Sequence, residues 1–392
     1  MFAYPKYTEF HQFTTRLKQS SIQRNFGTYS TDLVLDMRQK FHSYKNIIEN
    51  FDENGDISEI ILRNKSAIKF LCDSLIDTVE SFLIGDIKCA YNIFDRCLDN
   101  DIIKNCIDGL SEKLSSYSSK QKPLYRMRIS NSPLSFREEI FHIPFKKRYL
   151  VQTQRYSVSG LPCLYLGSSL FICWQEMNKP DFDKVYLSAC YPISHDFLIL
   201  DLTYTLDEIR KSDSYLEDKL AEKAESIITL WPLIIACSYT KANLNAPFNP
   251  EYIIPNLLMQ KISADSNMKQ AGIAYLSTKN NGNSNRNLGF NIVLPPKINF
   301  SDMQQYDFCP NLSKKIKITT PVSWALLDTL TLPENEEKIK SSIEQNSIED
   351  IHQTLMNNYS SSSFRKFEEK LAYYFKFGLI KNPRKITAAL PM

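Results

Sequence analysis

Glycine is scarce in this chain, with 10 glycines among 392 residues. Repeat, collagen-like and glycine-loop-rich architectures require more glycine, so the composition argues against them. The glycine-dependent motifs are also missing, because the sequence has no GxxxxGK[ST] loop, no GxGxxG fingerprint and no GxSxG elbow. The common nucleotide hydrolases, Rossmann enzymes and serine hydrolases are therefore excluded.

The chain has no marked excess of either charge. It carries 47 Lys and Arg against 44 Asp and Glu, a formal net charge of +3 at pH 7, and no dense basic block. Nucleic acid and anionic membranes are therefore not expected as partners. No apolar run approaches the roughly 18 residues that span a bilayer, and the first residues do not form a signal peptide. We expect a soluble cytoplasmic protein.

Cysteine pairs and metal-binding patterns are also missing. The nine cysteines include no CxxC pair, and several lie inside apolar runs, which indicates reduced core thiols. The five histidines form no pair at metal-ligand spacing. The sequence predicts neither a disulfide framework nor a metal site.

The chain contains enough apolar residues for a globular protein, at 43% hydrophobic and 23% charged. Its length favours more than one domain. Apolar residues three and four apart predict helices over 32–51, 57–84 and 87–110. We therefore predict an N-terminal helical domain over 1–120, ending in a polar, serine-rich linker at 111–122.

The periodicity changes after the linker. The middle region, 121–328, alternates between strand and helix patterns, which predicts an α+β unit with a mixed or antiparallel sheet. The predicted helices are 205–230 and 253–264, and the predicted strands are 124–129, the segment ending near Tyr165, 184–193, 197–202, 272–278, 289–294 and 315–320. Residues 329–392 are predicted to form a polar helical segment.

Five polar residues stand at the ends of predicted strands and helices in the middle region: Arg126, Arg155, Tyr165, Glu176 and Ser277. The stretch 155–177 alone carries an arginine, an aromatic residue and a carboxylate on a turn, a strand end and a helix. Such residues can converge on one pocket. Four of them also have a simpler explanation: a sheet salt bridge for Arg126, a core position for Tyr165, a solvated helix face for Glu176 and a strand-end hydrogen bond for Ser277.

Taken in order, the segments LYRMR, RYSVSGLPCLYLGSSLFICWQE, YIIPNLLMQKI, GIAYLST and GFNIVL resemble the RES domain, a family named for its Arg, Glu and Ser. The resemblance covers residues 121–325. Three departures concern the positioning of a substrate: Tyr156 and Ser157 follow the turn arginine, bulky residues around Trp174 precede the glutamate, and Asn256 replaces a glutamine.

The resemblance implies a fold similar to ADP-ribosyltransferases and an enzyme that consumes NAD. Glu176 would stabilise an oxocarbenium-like ribose, and Ser277 would orient Glu176 or the ribose. Arg126 would bind the pyrophosphate, with Arg155 as the second candidate. Tyr165 would stack on the nicotinamide. Glu176, Arg126 and Ser277 are thus the catalytic candidates.

Two activities follow from the resemblance. The first is an NAD glycohydrolase or phosphorylase that depletes NAD as a toxin or defence effector, held by an antitoxin or another regulatory protein. The second is a protein ADP-ribosyltransferase. A noncatalytic partner-binding protein with a degenerate nucleotide pocket is the alternative from another class. A helical ribonuclease resting on Arg38 and His42 is a third hypothesis, although their spacing is shorter than usual. Three roles are open for the flanking helical regions: covering the active site, recognising a target, or self-association into a homo-oligomer.

Overall fold

The computed structural model describes residues 5–20, 22, 32–51, 55–119, 122–193, 197–206, 214–243, 245–265, 268–279, 289–329, 359 and 362–376. The chain divides into two compact units. The first unit consists of Met1–Glu112, Gln154–Tyr156 and Leu200–Gln270. The second consists of Lys113–Thr153, Ser157–Ile199 and Ala271–Met392.

Helices and strands are both well represented, which confirms the α+β prediction. The helices are α1 Pro5–Gln19, α2 Leu33–Glu49, α3 Asp56–Leu83, α4 Ile87–Leu98, α5 Asp101–Gly109, α6 Leu170–Glu176, α7 Ser214–Ala236, α8 Ile253–Ala264, α9 Phe300–Gln305, α10 Pro310–Lys315, α11 Trp324–Thr329 and α12 Ser363–Lys376. The strands are β1 Ser111–Lys113, β2 Leu124–Ile129, β3 Leu164–Gly167, β4 Val185–Pro192, β5 Leu198–Leu202, β6 Gln270–Leu276, β7 Phe290–Leu294, β8 Ile316–Ile318 and β9 Val322–Ser323.

The first unit is a helical assembly built around α3. Both α7 and α8 pack on α3, which is why Leu200–Gln270 belongs to this unit. The sequence pattern had grouped that segment with the strands of 121–328. The polar stretch 111–122 is predicted as a linker, but its first seven residues form β1 and a short 3-10 helix, Leu114–Tyr117.

The single helix predicted over 87–110 is wrong, because two helices occupy this stretch. The break falls at Asn100, whose backbone is extended. Its side-chain oxygen accepts hydrogen bonds from the main-chain N–H groups of Ile102 and Ile103 at 3.1 and 3.3 Å. An asparagine in this position caps a new helix, because it satisfies N–H groups that have no partner within the helix.

Helix α7 continues past its predicted end at residue 230 and contains Pro232. A proline has no N–H, so it leaves the carbonyl of Ile228, four residues earlier, without its helical donor. The hydroxyl of Tyr44 on α2 donates to this carbonyl instead. Because Tyr44 is fully buried, the bond replaces a helix hydrogen bond at a site that water does not reach.

In the second unit the strands lie in the order β6-β7-β3-β2-β4-β8, and β9 also pairs with β4. These pairings are antiparallel. One row of cross-strand partners runs through four strands: Tyr125 pairs with Gly167, Gly167 with Asn291, and Asn291 with Tyr275. Residues next to this row lie in one transverse band of the sheet.

Aromatic side chains form much of the core beside this sheet. Trp324 stacks on Phe182 with ring centroids 4.2 Å apart and contacts Phe367 of α12 edge to face at 4.4 Å. On the same helix, Phe364 packs against Phe171 of α6 at 5.4 Å. The C-terminal helix is thus part of the core of the second unit.

A buried carboxylate accompanies this packing. Glu368 of α12 accepts a hydrogen bond from the main-chain N–H of Leu170 at 2.8 Å, and Tyr359 donates its hydroxyl to the same oxygen. Burial raises the pKa of Glu368 to about 7. These two hydrogen bonds and the charges of Arg365 and Lys122 oppose that effect.

The nine cysteines all lie in the described segments and are free thiols, which confirms the prediction of reduced cysteines. Where the chain is described, no cluster of three or more His, Cys, Asp or Glu is arranged to hold a metal ion. The helices of the described segments include none with the length and apolar character needed to cross a bilayer.

The hydrogen bond between Tyr44 and Ile228 yields a stability prediction. Tyr44→Phe leaves the buried carbonyl unsatisfied, so we expect the free energy of unfolding to fall by about 1–3 kcal/mol. Urea denaturation measures the change. In the Pro232→Ala background the helix regains its own donor, so the same substitution should cost clearly less. Equal costs in both backgrounds would contradict this account.

The raised pKa of Glu368 predicts a pH dependence of stability. The folded state holds the Glu368 proton up to about pH 7, whereas the ordinary value is 4.5. Stability from this group is therefore complete below 4.5 and is lost as the pH rises through 7. We expect the wild type to lose about 3 kcal/mol relative to Glu368→Gln between pH 4.5 and 8. Parallel urea-denaturation results for the two proteins over that range would exclude this effect.

Candidate functional site

Arg126 lies on β2, between β3 and β4, and main-chain carbonyls hold its guanidinium group. Nε donates to Ile140 O at 3.2 Å, and Nη1 donates to Tyr165 O at 2.9 Å. Burial lowers the pKa of Arg126, because the charged form loses water. No carboxylate in the described segments pairs with Arg126, so it does not form the sheet salt bridge that its position allowed.

Arg128 follows two residues later on the same face of β2. Its guanidinium donates to the carbonyl oxygens of Glu139 and Phe141. Burial, and then the charge of Arg126, lower the pKa of Arg128 to about 10, while the carboxylate of Glu139 opposes this shift. That carboxylate accepts main-chain N–H groups instead of pairing with the arginine. Sequence reasoning missed Arg128, although the alternation in LYRMR was the available signal.

We call Arg126 and Arg128 the β2 arginine pair. Two like charges at adjacent positions, both partly removed from water and without a carboxylate partner among the described residues, are costly for the folded state. A dianionic or diphosphate ligand would offset that cost, because a guanidinium fork matches phosphate oxygens. The arrangement is therefore chemically suited to an anion.

Tyr165 of β3 is fixed at two points. Its carbonyl accepts the hydrogen bond from Arg126, and its hydroxyl shares a hydrogen bond of 2.9 Å with the hydroxyl of Ser157. The side chain is only partly buried. A ring held in this way can provide a stacking surface with little loss of side-chain entropy on binding.

Glu176 is the last residue of α6, and it remains partly exposed. Its Oε1 accepts a hydrogen bond from Nδ2 of Asn291 at 2.8 Å. The other carboxylate oxygen accepts no hydrogen bond from any described residue. Asn291 is 4% exposed on β7. The sequence analysis did not single out this residue, and its signal was an amide side chain inside the apolar run FNIVL.

The C-terminal end of α6 is held by Lys279. Its Nζ donates to the carbonyls of Gln175 and Glu176 at 3.1 and 3.0 Å and contacts the side-chain oxygen of Asn178. A cation in this position satisfies the last helix carbonyls and complements the negative end of the helix dipole. The left-handed backbone of Asn178, with φ 61°, ends the helix.

Ser277 follows directly after β6 and is fully buried. Its main-chain N–H donates to Gly289 O at 2.9 Å, and its hydroxyl accepts the main-chain N–H of Lys279 at 3.3 Å. The hydroxyl thus shapes the turn that places Lys279 against α6. The hydrogen bond to the Glu176 carboxylate, expected from Ser277, comes from Asn291 in this structure.

Arg155 belongs to the first unit, whereas the other four predicted residues belong to the second. The residue is 6% exposed. Its guanidinium donates to the carbonyls of Cys237 and Tyr239, just beyond the end of α7, and lies 5.0 Å from the ring centroid of Tyr252. These contacts give Arg155 a structural part in its own unit. Its role in binding phosphate stays a prediction.

Within the second unit, Arg126 and Glu176 lie at the same transverse band of the sheet. Arg126 adjoins the row that runs through Gly167 and Asn291, and Glu176 is bonded to that row. The charges of both residues also act on the thiol of Cys173 in α6. Burial raises its pKa to about 12, and the charges of Arg126 and Glu176 act on it with opposite sign. A positive and a negative group therefore lie near one helix.

Comparisons with known proteins give one informative similarity. The chain is 31% identical over 265 residues to a protein of Bacillus subtilis (strain 168) named "Putative toxin YopC". The match covers 66% of this chain and 59% of that relative's length. No family model matches the chain, and no solved structure matches it.

The β2 arginine pair predicts stabilisation by a diphosphate. Inorganic pyrophosphate, compared with sodium chloride of equal ionic strength, should raise the melting temperature of the wild type, because a ligand that binds only the folded state stabilises it. Arg128→Met keeps most of the side-chain volume and should lose at least about half of the increase. Differential scanning fluorimetry measures the shift. Arg63→Met, which alters an exposed arginine of the first unit, should respond as the wild type does; the same response in Arg128→Met would contradict the assignment.

Proposed function

We propose that this protein is an enzyme that cleaves the bond between nicotinamide and ribose in NAD and acts as a toxin by depleting NAD. The observation that carries the proposal is the Glu176 carboxylate, which Asn291 holds through one oxygen while no described residue donates a hydrogen bond to the other. The proposal also draws on the RES-like series of motifs and on the similarity to a relative that bears a toxin name.

The chemistry requires a carboxylate of this kind. When the C1′–N bond breaks, its electron pair leaves with nicotinamide, and the ribose develops oxocarbenium character. A preorganised negative charge beside the ribose stabilises that state, and the second carboxylate oxygen of Glu176 can accept a hydrogen bond from a ribose hydroxyl. A nucleophile then forms the new bond to C1′ from the other face. Water gives ADP-ribose and releases a proton, while phosphate gives ADP-ribose 1″-phosphate.

The diphosphate and the nicotinamide have their own candidate groups. In the proposal, the β2 arginine pair binds the diphosphate, because both guanidinium groups lack a carboxylate partner among the described residues. The ring of Tyr165, fixed by Ser157 and Arg126, stacks on the cationic nicotinamide. Ser277 acts indirectly by shaping the turn that carries Lys279. An ADP-ribosyltransferase-like core is part of the same proposal.

A toxin of this type needs restraint in the cell that makes it. We therefore propose an antitoxin or another regulatory protein as a partner. The B. subtilis relative bears a toxin name, and the matched region is 59% of that relative's length.

The decisive experiment is product analysis of NAD incubated with the purified protein. We expect nicotinamide release by the wild type and a loss of about 100-fold or more in Glu176→Gln, on the scale of other preorganised electrostatic groups. Liquid chromatography with mass spectrometry identifies the products with and without phosphate and with cell lysate. This separates hydrolysis, phosphorolysis and protein ADP-ribosylation.

Asp183→Asn is the matched control, because Asp183 is an exposed carboxylate of the same unit. It should retain wild-type activity. Circular dichroism should show that Glu176→Gln is folded. If the wild type, freed of any inhibitor, neither cleaves NAD nor labels a protein, the proposal fails and the noncatalytic partner-binding reading takes its place.

A further inference from the structure

We propose that Glu368, on the C-terminal helix α12, is a positioning residue that fixes the N-terminal end of α6 and thereby sets the location of Glu176. For its catalytic consequence, the inference rests on the proposed function. Its structural part stands independently. Glu368 lies outside the RES-like region 121–325. The C-terminal segment therefore supplies a contact to α6 that the RES-like motifs do not include.

The need for such a residue follows from the length of α6. This helix has seven residues, Leu170–Glu176, and helices of that length are not stable alone. Its first N–H groups require partners outside the helix. Ser169 supplies one, since its hydroxyl accepts the N–H of Ile172 at 3.2 Å. Glu368 supplies another by accepting the N–H of Leu170 at 2.8 Å.

Glu368 is itself held firmly. Its side chain is 3% exposed, Tyr359 donates a hydrogen bond to it, and a nitrogen of Arg365 lies 3.6 Å from its second oxygen. A negative or strongly accepting group at the start of a helix also complements the helix dipole. Its contact with Leu170 is therefore not a flexible surface interaction.

The aromatic packing supports the same interface. Phe364, four residues before Glu368 on α12, contacts Phe171 at 5.4 Å and Trp174 at 5.7 Å between ring centroids. These two residues lie on α6, between the residue that Glu368 binds and Glu176. The helix therefore rests against α12 along its length, with Glu368 as the polar contact at one end.

Loss of the Glu368 contact would free the N-terminal end of α6 and so affect Glu176 at its other end. Glu176 lies six residues beyond Leu170, or about 9 Å at 1.5 Å per residue. Lys279 holds the carbonyls of Gln175 and Glu176, so release of the N-terminal end would let α6 tilt about its C-terminal end and turn the Glu176 side chain. A displacement of about 1 Å of its carboxylate can cost 100-fold in rate. The contact with Glu368 acts through Glu176 and does not require Glu368 to touch the substrate.

The test compares Glu368→Ala, Glu368→Gln and Glu369→Gln. Glu368→Ala removes the acceptor, so we expect kcat for NAD cleavage to fall at least about tenfold with KM changed less than about threefold. Glu368→Gln keeps an acceptor oxygen for Leu170 and should restore most of the rate. Glu369 is the exposed neighbour, and its variant should match the wild type. Wild-type kcat in a folded Glu368→Ala protein would overturn the proposal, and so would failure of Glu368→Gln to restore the rate.

Hydrogen–deuterium exchange separates this inference from the proposed function. Peptides covering Leu170–Glu176 should exchange faster in Glu368→Ala than in the wild type, while peptides from α3 should not change. If the wild type does not cleave NAD, the proposed function fails, but faster exchange in α6 still supports the positioning contact. Unchanged exchange in α6 would refute it whether or not the protein is active.

Discussion

The candidate site of the second unit depends on the contacts that hold the short helix α6 at both ends. Helix α6 is too short to be stable alone, and each of its ends is bonded to a distant part of the chain. Glu368 accepts an N–H at the beginning, and Lys279 donates to carbonyls at the end. Glu176 is the final residue of this helix, so its carboxylate is carried by an element whose two ends are held by contacts that span 198 and 103 residues in sequence.

The β2 arginine pair lowers the stability of the folded state, whereas the contacts of α6 raise it. The folded state places two guanidinium groups side by side without a carboxylate partner in the described segments, and burial lowers the pKa of both. Main-chain carbonyls hold them in fixed directions, which satisfies some donors without neutralising the charge. An uncompensated charge of this kind reduces stability, and it is retained most readily where a ligand offsets the cost.

The sequence predicted those features that depend on local pattern. The α+β class, helix α8 and strand β2 follow from periodicity alone. Asn100 was missed as a helix start because its cap depends on one side-chain rotamer within a continuous helical pattern. Asn291 and Glu368 were missed because their importance arises from long-range contacts with α6, which no spacing rule reveals. Arg155 shows the reverse case, since its motif position suggested a ligand and its contacts are with the end of α7.

The bond between Tyr44 and Ile228 has a consequence for comparing relatives of this chain. Pro232 and Tyr44 are far apart in sequence, yet they act on the same carbonyl. The proline removes the helical donor to Ile228 O, and the Tyr44 hydroxyl supplies another. The two positions should therefore co-vary: homologues without the proline are free to lose the hydroxyl at position 44, and homologues that keep the proline need a donor there. Such a pairing in an alignment would mark sequences that share the arrangement of α2 and α7, even where overall identity is low.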